Sequence, residues 1–320
     1  MQEAERALTL FQIFQEETDE MHPVTMSWLI ARLTQKGIPS ERRSVYRAIS
    51  ALKKHGIDLR YEHRRYYLKH DFSPAEITVL ADGVQDSVSL SSRETTLLTE
   101  KLKKQLSLPQ QSLLSLNPPS PSKSRNDAVI NAINLLLEAS AHHHPIEFLY
   151  YDLQPDGSKQ YRHKNRRYHE VPYAIISSGG RFYVVLYSPQ HHGFANYRID
   201  KMERITLSEE EAEPVRFDKD RWLAHSFDMY AGTPDTVTLR LDSSMAQIVF
   251  DTFGTNILIS EITEQYFIAN IRTAITPTLT AWLLEFYDRC IVLRPDTLIE
   301  QLRSVARAIQ TAYNVDGGRS

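Results

Sequence analysis

The stretch SERRSVYRAISALKKHGIDLRYEHRRYYL, residues 40–68, decides how the N-terminal part of the chain folds. In its first half apolar residues recur at helical spacing, at Val45, Ile49 and Leu52. This spacing predicts a helix with one buried stripe. Gly56 follows the stripe and suits the left-handed conformation that ends many helices. Two segments separated by a polar turn, 57–61 and 66–68, then predict a β-hairpin.

Two further helices are predicted upstream of this stretch, at about 3–17 and 24–36. Gly37 suits the end of the second helix. Ser40 is a good N-cap for the third, and Glu41 is favourable in its first turn. The resulting order is helix, helix, turn, helix and hairpin, which is typical of a winged helix-turn-helix.

Positive charge is concentrated in the same region. The whole chain has a formal net charge of −3, yet between Arg32 and Lys69 eleven Lys or Arg residues stand against three acidic ones. A local basic block in a mildly acidic chain indicates a polyanionic partner for that block alone.

The third helix and the hairpin carry the side chains that we expect to contact duplex DNA. Arginine reads guanine edges through two hydrogen bonds, and serine and lysine suit phosphates. The predicted DNA-binding residues are Ser40, Arg42, Arg43, Ser44, Tyr46, Arg47, Lys53, Arg64 and Arg65. The alternative is that these residues only solvate one helix face.

The order of elements and the string at 40–68 together resemble the DeoR-like winged-helix module of bacterial regulators. Ser44 stands where that module usually has threonine. The resemblance covers about 1–70 and implies that this region binds double-stranded DNA.

Regular elements are also predicted along the rest of the chain. Helices are expected at about 73–87, 91–107 and 126–139, with a Pro- and Ser-rich linker at 109–125. Strands are expected at Ile146–Tyr151, Val171–Ser177, Phe182–Tyr187 and Phe194–Ile199, with a hairpin turn at Gly179-Gly180. A short helix is expected near 218–225. Beyond it, the order βαββαβ with a trailing helix, from 236 to 313, suggests a ferredoxin-like α+β sandwich.

A second basic cluster lies among the predicted strands, where cations alternate with tyrosines. Its members are Lys159, Tyr161, Arg162, Lys164, Arg166, Arg167, Tyr168 and Tyr173. Aromatic rings among cations can stack bases and pair with phosphates. Glu170 is the one acidic residue between 159 and 181.

This part of the chain resembles the WYL-domain family of regulators. The resemblance rests on the strings IEFLYY (146–151), VPY (171–173), GRFYVV (180–185) and YRIDK (197–201). Phe182-Tyr183-Val184 stands for the family's Trp-Tyr-Leu triplet, and Lys201 for its second arginine. AWLLEFY (281–287) and VLRP (292–295) resemble the C-terminal extension of that family.

The resemblance implies a small Sm-like β-barrel that binds an effector, in some members a nucleic acid. Carried onto this chain, it implies an effector site at Tyr150, Arg167, Tyr183, Arg198 and Lys201. Each of these residues has a structural alternative, since Tyr183 could pack in the barrel and Arg198 could pair with an acid near Asp200 or with Glu170. As a group, they indicate a negatively charged ligand such as a nucleotide or oligonucleotide.

The expected fold is therefore a multidomain α+β protein. Its expected domains are a winged helix-turn-helix at 1–70, a helical linker at 71–140, a WYL-like Sm/SH3-like β-barrel at 141–210, a connection at 211–234 and a ferredoxin-like extension at 235–315.

Several classes of function are disfavoured by the sequence. Motifs of nucleotide-binding loops, hydrolases and zinc proteases are missing, so neither an enzyme nor a cofactor is predicted. His142–His144 and His191-His192 suit polar turns better than a metal site. Cys290, the single cysteine, is expected in the core, and its isolation favours a cytoplasmic protein. No apolar run is long enough to cross a membrane.

The sequence thus predicts an effector-responsive transcriptional regulator that binds an inverted repeat in duplex DNA as a homodimer. A second hypothesis is a nucleic-acid-binding accessory protein of phage defence or DNA repair that regulates no promoter.

Overall fold

The architecture is mixed α+β, as the sequence predicts. A computed structural model describes residues 2–224, 226–227, 230–231, 234–255 and 257–313. The chain divides into two compact units, Met1–Ile130 and Asn131–Ser320. Three predictions fall partly outside the described residues: the extension to 315, the helix at 218–225 and the connection at 211–234.

Three helices and a hairpin form the first part of the N-terminal unit, in the predicted order. They are α1 (Gln2–Glu17), α2 (Met26–Gln35), α3 (Arg42–Lys54), β1 (Leu59–Glu62) and β2 (Arg65–Leu68). Their shared core includes Leu10 and Phe14 of α1, Leu29 and Leu33 of α2, and Val45 of α3. The predicted stripe of α3 is confirmed, since Val45 and Ile49 are buried and Leu52 packs against the same core.

The predicted cap of α3 is wrong by one residue. Glu41 is the N-cap, and its side chain makes no capping hydrogen bond. The Ser40 hydroxyl instead donates to the Ile38 carbonyl and accepts a hydrogen bond from Arg6 Nε at 2.8 Å. Because Ser40 lies one position too early to reach the free N–H groups of the first turn, it ties the loop before α3 to α1.

The hairpin begins two residues later than predicted and is extended by a short backbone pairing. Val24, just before α2, exchanges two backbone hydrogen bonds with Tyr66 of β2. His63 and Arg64 form the hairpin turn, both with positive φ. The turn is therefore the two-residue type whose twist matches that of the strands, built without glycine.

A helical segment completes the N-terminal unit. Its helices are α4 (Pro74–Asp86), α5 (Ser92–Lys103) and α6 (Leu108–Gln111), so the helix predicted at 91–107 ends earlier and a separate turn follows. Each of the three helices begins with a serine capping box.

The predicted linker at 109–125 is fixed against these helices. Asn117 N–H donates to Asp82 Oδ1, and Lys123 Nζ donates to the carbonyls of Val84 and Ser87. Burial among these groups lowers the pKa of Lys123. The first residues of the predicted linker, up to Gln111, belong to α6, and polar groups dock the rest of the segment.

The second unit begins with a helix and a curled antiparallel sheet. Its elements are α7 (Val129–Ala141), β3 (Ile146–Leu153), β4 (Lys159–Tyr161), β5 (Tyr168–Ser178), β6 (Arg181–Ser188), β7 (Gly193–Arg198) and β8 (Met202–Leu207). The strand order is β4-β3-β5-β6-β7, and β8 pairs with β3. One turn of 3-10 helix, Ile199–Lys201, joins β7 to β8. The last strand therefore returns to the first.

The four predicted strands of this sheet are confirmed, whereas β4 and β8 were missed. The turn at Gly179 and Gly180 has positive φ at both residues, as expected. After β8 come α8 (Lys219–Ala224), β9 (Ser226–Phe227) and β10 (Tyr230–Ala231).

The C-terminal region has the predicted βαββαβ order and trailing helix. Its elements are β11 (Pro234–Asp242), α9 (Ala246–Phe253), β12 (Leu258–Ile262), β13 (Tyr266–Ala274), α10 (Pro277–Glu285), β14 (Cys290–Arg294) and α11 (Asp296–Tyr313). The sheet order is β12-β13-β11-β14, with every pairing antiparallel. Cys290 is buried in the core of this region, as predicted, and burial raises the pKa of its thiol to about 12.

Candidate nucleic-acid interface and effector cavity

The exposed face of α3 carries most of the predicted DNA-binding residues. Burial of the Val45 stripe turns Arg42, Arg43, Tyr46 and Arg47 outward, and all four are exposed, as is Lys53. Ser44 is half-buried at the start of the helix. One helix face therefore presents several cations to solvent.

Some of these cations have weak intramolecular partners. Arg42 Nη2 donates to the Tyr46 hydroxyl at 3.3 Å, and its guanidinium lies 5.7 Å from the centre of the Tyr46 ring. The hydrogen bond to Tyr46 raises the pKa of Arg42. Arg47 makes an exposed ion pair with Glu3 at 3.2 Å. Such surface pairs are worth about 0–1 kcal/mol, so a phosphate or base can replace them.

The remaining cations are available for a polyanion. Among the described residues, Arg43, Lys53, Arg64 and Arg65 form no ion pair within 4.0 Å, and all four are exposed. Arg64 and Arg65 lie at the tip of the hairpin. Tyr66 of the hairpin is hydrogen-bonded to Tyr46 of α3, which links the hairpin to the helix. Ser40 differs from the others because its hydroxyl is already used within the fold.

The predicted effector residues occupy two places in the curled sheet. In the first, Arg198 forms two hydrogen bonds to the carboxylate of Asp200, at 3.1 and 2.7 Å. The Tyr150 hydroxyl accepts the Arg198 backbone N–H, and burial raises the pKa of Tyr150 to about 12. Tyr183 lies opposite Arg198 in the register of β6 and β7.

Lys201 also has an acidic partner. Its Nζ donates to Asp152 Oδ1 at 2.9 Å, and Arg162 Nε donates to Asp152 Oδ2 at 2.6 Å. These two cations, Arg162 first, lower the pKa of Asp152 to about 2. Arg162 also lies 5.0 Å from the centre of the Tyr150 ring, as a cation–π contact.

Arg167 lies apart from Tyr150, Arg198 and Lys201, where β3 pairs with β8. It donates to Glu147 at 2.9 Å, to the Thr206 hydroxyl and to the Arg204 carbonyl. Lys159 pairs with Glu203 of β8. Glu170 is the one acid within the stretch 159–181, but neighbouring strands contribute further acids that are distant along the chain.

A cavity of about 700 Å³ opens in the curled sheet, and Arg167 is the one predicted effector residue among the described residues that line it. Its walls include the guanidinium groups of Arg162, Arg166 and Arg167 together with the rings of Tyr168 and Tyr197. Tyr168 and Tyr197 belong to an aromatic cluster with Phe148 and Tyr150. The volume is typical of small-molecule sites.

One buried acid also lines this cavity. Glu170 is 7% exposed, and its Oε2 atom is buried without a hydrogen-bond partner. The Ser188 hydroxyl bonds to the carboxyl group, but desolvation dominates and raises the pKa of Glu170 to about 7. A buried polar atom without a partner is costly.

The loop that brings the cations to the cavity has unusual backbone geometry. His163, Lys164 and Asn165 all have left-handed φ values, at 52°, 57° and 66°. Each such residue costs roughly 1–2 kcal/mol relative to the right-handed form. Backbone strain of this kind is found preferentially at functional sites.

The sequence placed Arg162 in the second basic cluster but not among the effector residues, and it predicted a site role for neither Asp152 nor Glu170. The available signal for Glu170 was its position as the one acid in a basic stretch. The signal for Asp152 and Arg162 was weaker, because their pairing depends on the register of β3 and β4.

In the described part of the chain, no group of three His, Cys, Asp or Glu side chains is placed to hold a metal ion. Among the described helices, none is both long and apolar enough to cross a membrane.

Comparison with models of known protein families identifies the class of the curled sheet and its cavity. Residues 131–207 match the WYL domain. This match confirms the resemblance to the WYL-domain family found in the sequence. More particularly, residues 233–310 match the WCX domain, so the chain combines a WYL domain with a WCX domain. No match was found among curated proteins.

Two solved structures show weak similarity. Proteasome accessory factor B/C (PafBC) of Arthrobacter aurescens is 15% identical with a TM-score of 0.29, over 97% of this chain and 48% of that one. A CRISPR Cas-related protein is 16% identical with a TM-score of 0.39, over 69% of this chain and 60% of that one. The chain therefore spans less than two thirds of the length of either protein.

Proposed function

We propose that this protein is a transcriptional regulator, and not an enzyme, that binds duplex DNA through a winged helix-turn-helix formed by α1–α3 and the β1–β2 hairpin. The observation that carries the proposal is the exposed face of α3, where Arg43 and Lys53 have no ion-pair partner among the residues that the structure describes. A recognition helix of this kind enters the major groove, and a basic hairpin beside it contacts the adjacent backbone or minor groove.

The second unit is the sensor in this proposal. The curled sheet acts as an Sm-like barrel, and the C-terminal region acts as a ferredoxin-like extension. The ligand is a nucleotide or a short single strand, because the cavity combines three guanidinium groups with two tyrosine rings. The protein acts as a homodimer on an inverted repeat, since a single small winged helix makes few contacts.

Substitutions on α3 test the DNA-binding half of the proposal. The preferred operator is first selected from random duplexes by the full-length protein. Replacing both Arg43 and Arg47 with alanine should then weaken operator binding by about 1–3 kcal/mol for each side chain that contacts a base. Lys53→Ala should weaken all duplexes alike and reduce the salt dependence, as expected for a phosphate contact.

The matched control is Arg93→Ala/Lys101→Ala, which removes two exposed cations from α5. We expect this variant to bind the operator as the unmodified protein does. Normal operator binding by Arg43→Ala/Arg47→Ala would refute the assignment of α3 as the recognition helix.

A further inference from the structure

We propose that Glu170 selects guanine in the sensor cavity, by accepting hydrogen bonds from the base of a nucleotide whose phosphate is held by the cavity's arginines. This inference rests on the proposed sensor function and adds the identity of the base. It starts from a contrast, since Glu170 is the one carboxylate among the described residues that line the cavity, whose other walls are mostly arginine, histidine and tyrosine side chains, with Pro189 and Gln190.

The burial of Glu170 shows that it needs a partner. The residue is more than nine-tenths buried, and Oε2 has no hydrogen-bond partner. Among the described residues, no arginine of the wall forms an ion pair with Glu170, since Arg162 is paired with Asp152, Arg167 with Glu147, and Arg166 with no acid. A ligand that donates hydrogen bonds to this carboxylate would remove the cost of its desolvation.

The chemistry of a carboxylate limits which base can bind. An ionised carboxylate only accepts hydrogen bonds. Guanine presents two adjacent donors, N1–H and the 2-amino group, on its Watson–Crick edge. Adenine and cytosine place an acceptor beside their amino group, and uracil places its single N–H between two acceptors. Guanine is therefore the base that offers two donors to the carboxylate without placing one of its own acceptors against a carboxylate oxygen.

The rest of the cavity suits the other parts of a nucleotide. Arg166 is exposed, lines the cavity and forms no ion pair with any described residue, so it is available for phosphate. Tyr168 and Tyr197 are half-buried, with ring centres 5.5 Å apart. Their exposed ring surfaces offer contact to a base, which is worth about 1–3 kcal/mol for each stacked base.

Calorimetric titration of the full-length protein with 5′-GMP, 5′-AMP, 5′-CMP and 5′-UMP tests the inference. The titrations are made at pH 8, where the Glu170 carboxyl, with its pKa of about 7, is mostly ionised. We expect GMP to bind at least about tenfold more tightly than the other three, since a site built around a hydrogen bond rejects ligands that lack it. Inosine 5′-monophosphate, which lacks the 2-amino group, should bind about tenfold more weakly than GMP.

Variants separate base selection from phosphate binding. Glu170→Gln removes the charge at nearly constant shape, and it should abolish the preference for GMP while changing AMP binding little. Arg166→Ala should weaken all four nucleotides alike. Glu209→Gln, which alters an exposed acid that does not line the cavity, is the matched control and should retain the preference. The inosine comparison uses the unmodified protein, so it decides the question even where Glu170→Gln fails to fold.

The results of these titrations distinguish the role of Glu170 from the proposed sensor function. Salt-sensitive binding of all four nucleotides with equal affinity, or an unchanged GMP preference in Glu170→Gln, would overturn the role of Glu170 and leave the sensor function standing. Failure of every nucleotide and of mixed-sequence single-stranded pentamers to bind would overturn the sensor function and this inference together.

Discussion

At the scale of single residues, Asp152 connects the electrostatics of the sheet to stability. The Arg162 and Lys201 side chains hold its pKa at about 2, below the ordinary value of 3.8. A carboxyl whose pKa is lowered by folding stabilises the protein at pH values above 3.8, and this contribution is lost as the pH falls towards 2. The Asp152 side chain is 38% exposed, so solvent screening reduces the effect.

Replacing Asp152 with asparagine should therefore lower the free energy of unfolding by about 1 kcal/mol at pH 7. The difference from the unmodified protein should shrink as urea unfolding is repeated from pH 5 down to pH 3. Glu211→Gln, in the exposed acidic run at 209–211, is the control and should show no such trend. A difference that stays constant down to pH 3 would mean that packing, not the ion pairs, is responsible.

At the scale of elements, two glycines end the helices of the N-terminal unit. Gly37 after α2 and Gly56 after α3 have φ values of 82° and 88°. A Cβ atom at either position would meet nothing within 4 Å, so a substitution there affects only the backbone conformation. The left-handed form costs a residue with a side chain roughly 1–2 kcal/mol.

Gly56→Ala should accordingly destabilise the protein by roughly 1 kcal/mol. Gly83 supplies the matched control because it lies inside α4 with ordinary helical geometry and equally open surroundings. Gly83→Ala should stabilise by roughly 0.5–1 kcal/mol, since alanine loses less entropy in a helix. Thermal unfolding of the two variants should shift in opposite directions, and shifts in the same direction would contradict this account of Gly56.

The elements also show what sequence patterns could and could not predict. The stripe at Val45, Ile49 and Leu52 specified α3 because burial on one helix face leaves a local period. β8 escaped prediction because only Met202 in it is buried, so its sequence lacks a clear alternation. Lys201 and Asp152 are 49 positions apart, and only strand pairing brings them together. Local spacing thus predicted most elements and the exposed face of α3, but not the acids that neutralise the second basic cluster.

At the scale of the whole molecule, the two basic regions differ in how their charge is balanced. On α3 and the hairpin several cations have no acidic partner in the described part of the chain, whereas in the curled sheet Arg162, Arg198 and Lys201 are each paired with an aspartate. The first region therefore suits an extended polyanion. The second presents less free charge, and in our proposal it gains specificity from the shape of its cavity and from Glu170.

The last prediction is that the full-length protein forms a homodimer. An inverted repeat requires two winged helices related by a twofold axis. The helical segment after the hairpin offers exposed apolar side chains, since Val79 of α4 is 74% exposed and Leu97 of α5 is 52% exposed. Burying such side chains between two copies would favour association by about 25 cal/mol per Å² of apolar surface.

Light scattering at micromolar concentration should give about twice the 36.9 kDa mass of one chain. Val79→Glu/Leu97→Glu should shift the mass towards the monomer, because two buried carboxylates without partners would oppose association. Leu8→Glu is the control: Leu8 on α1 is 68% exposed but lies outside this segment, so this variant should remain dimeric. A monomer mass for the unmodified protein, both with and without operator DNA, would exclude the dimer. A dimer that persists in Val79→Glu/Leu97→Glu would instead place its interface elsewhere, with the C-terminal region as the next candidate.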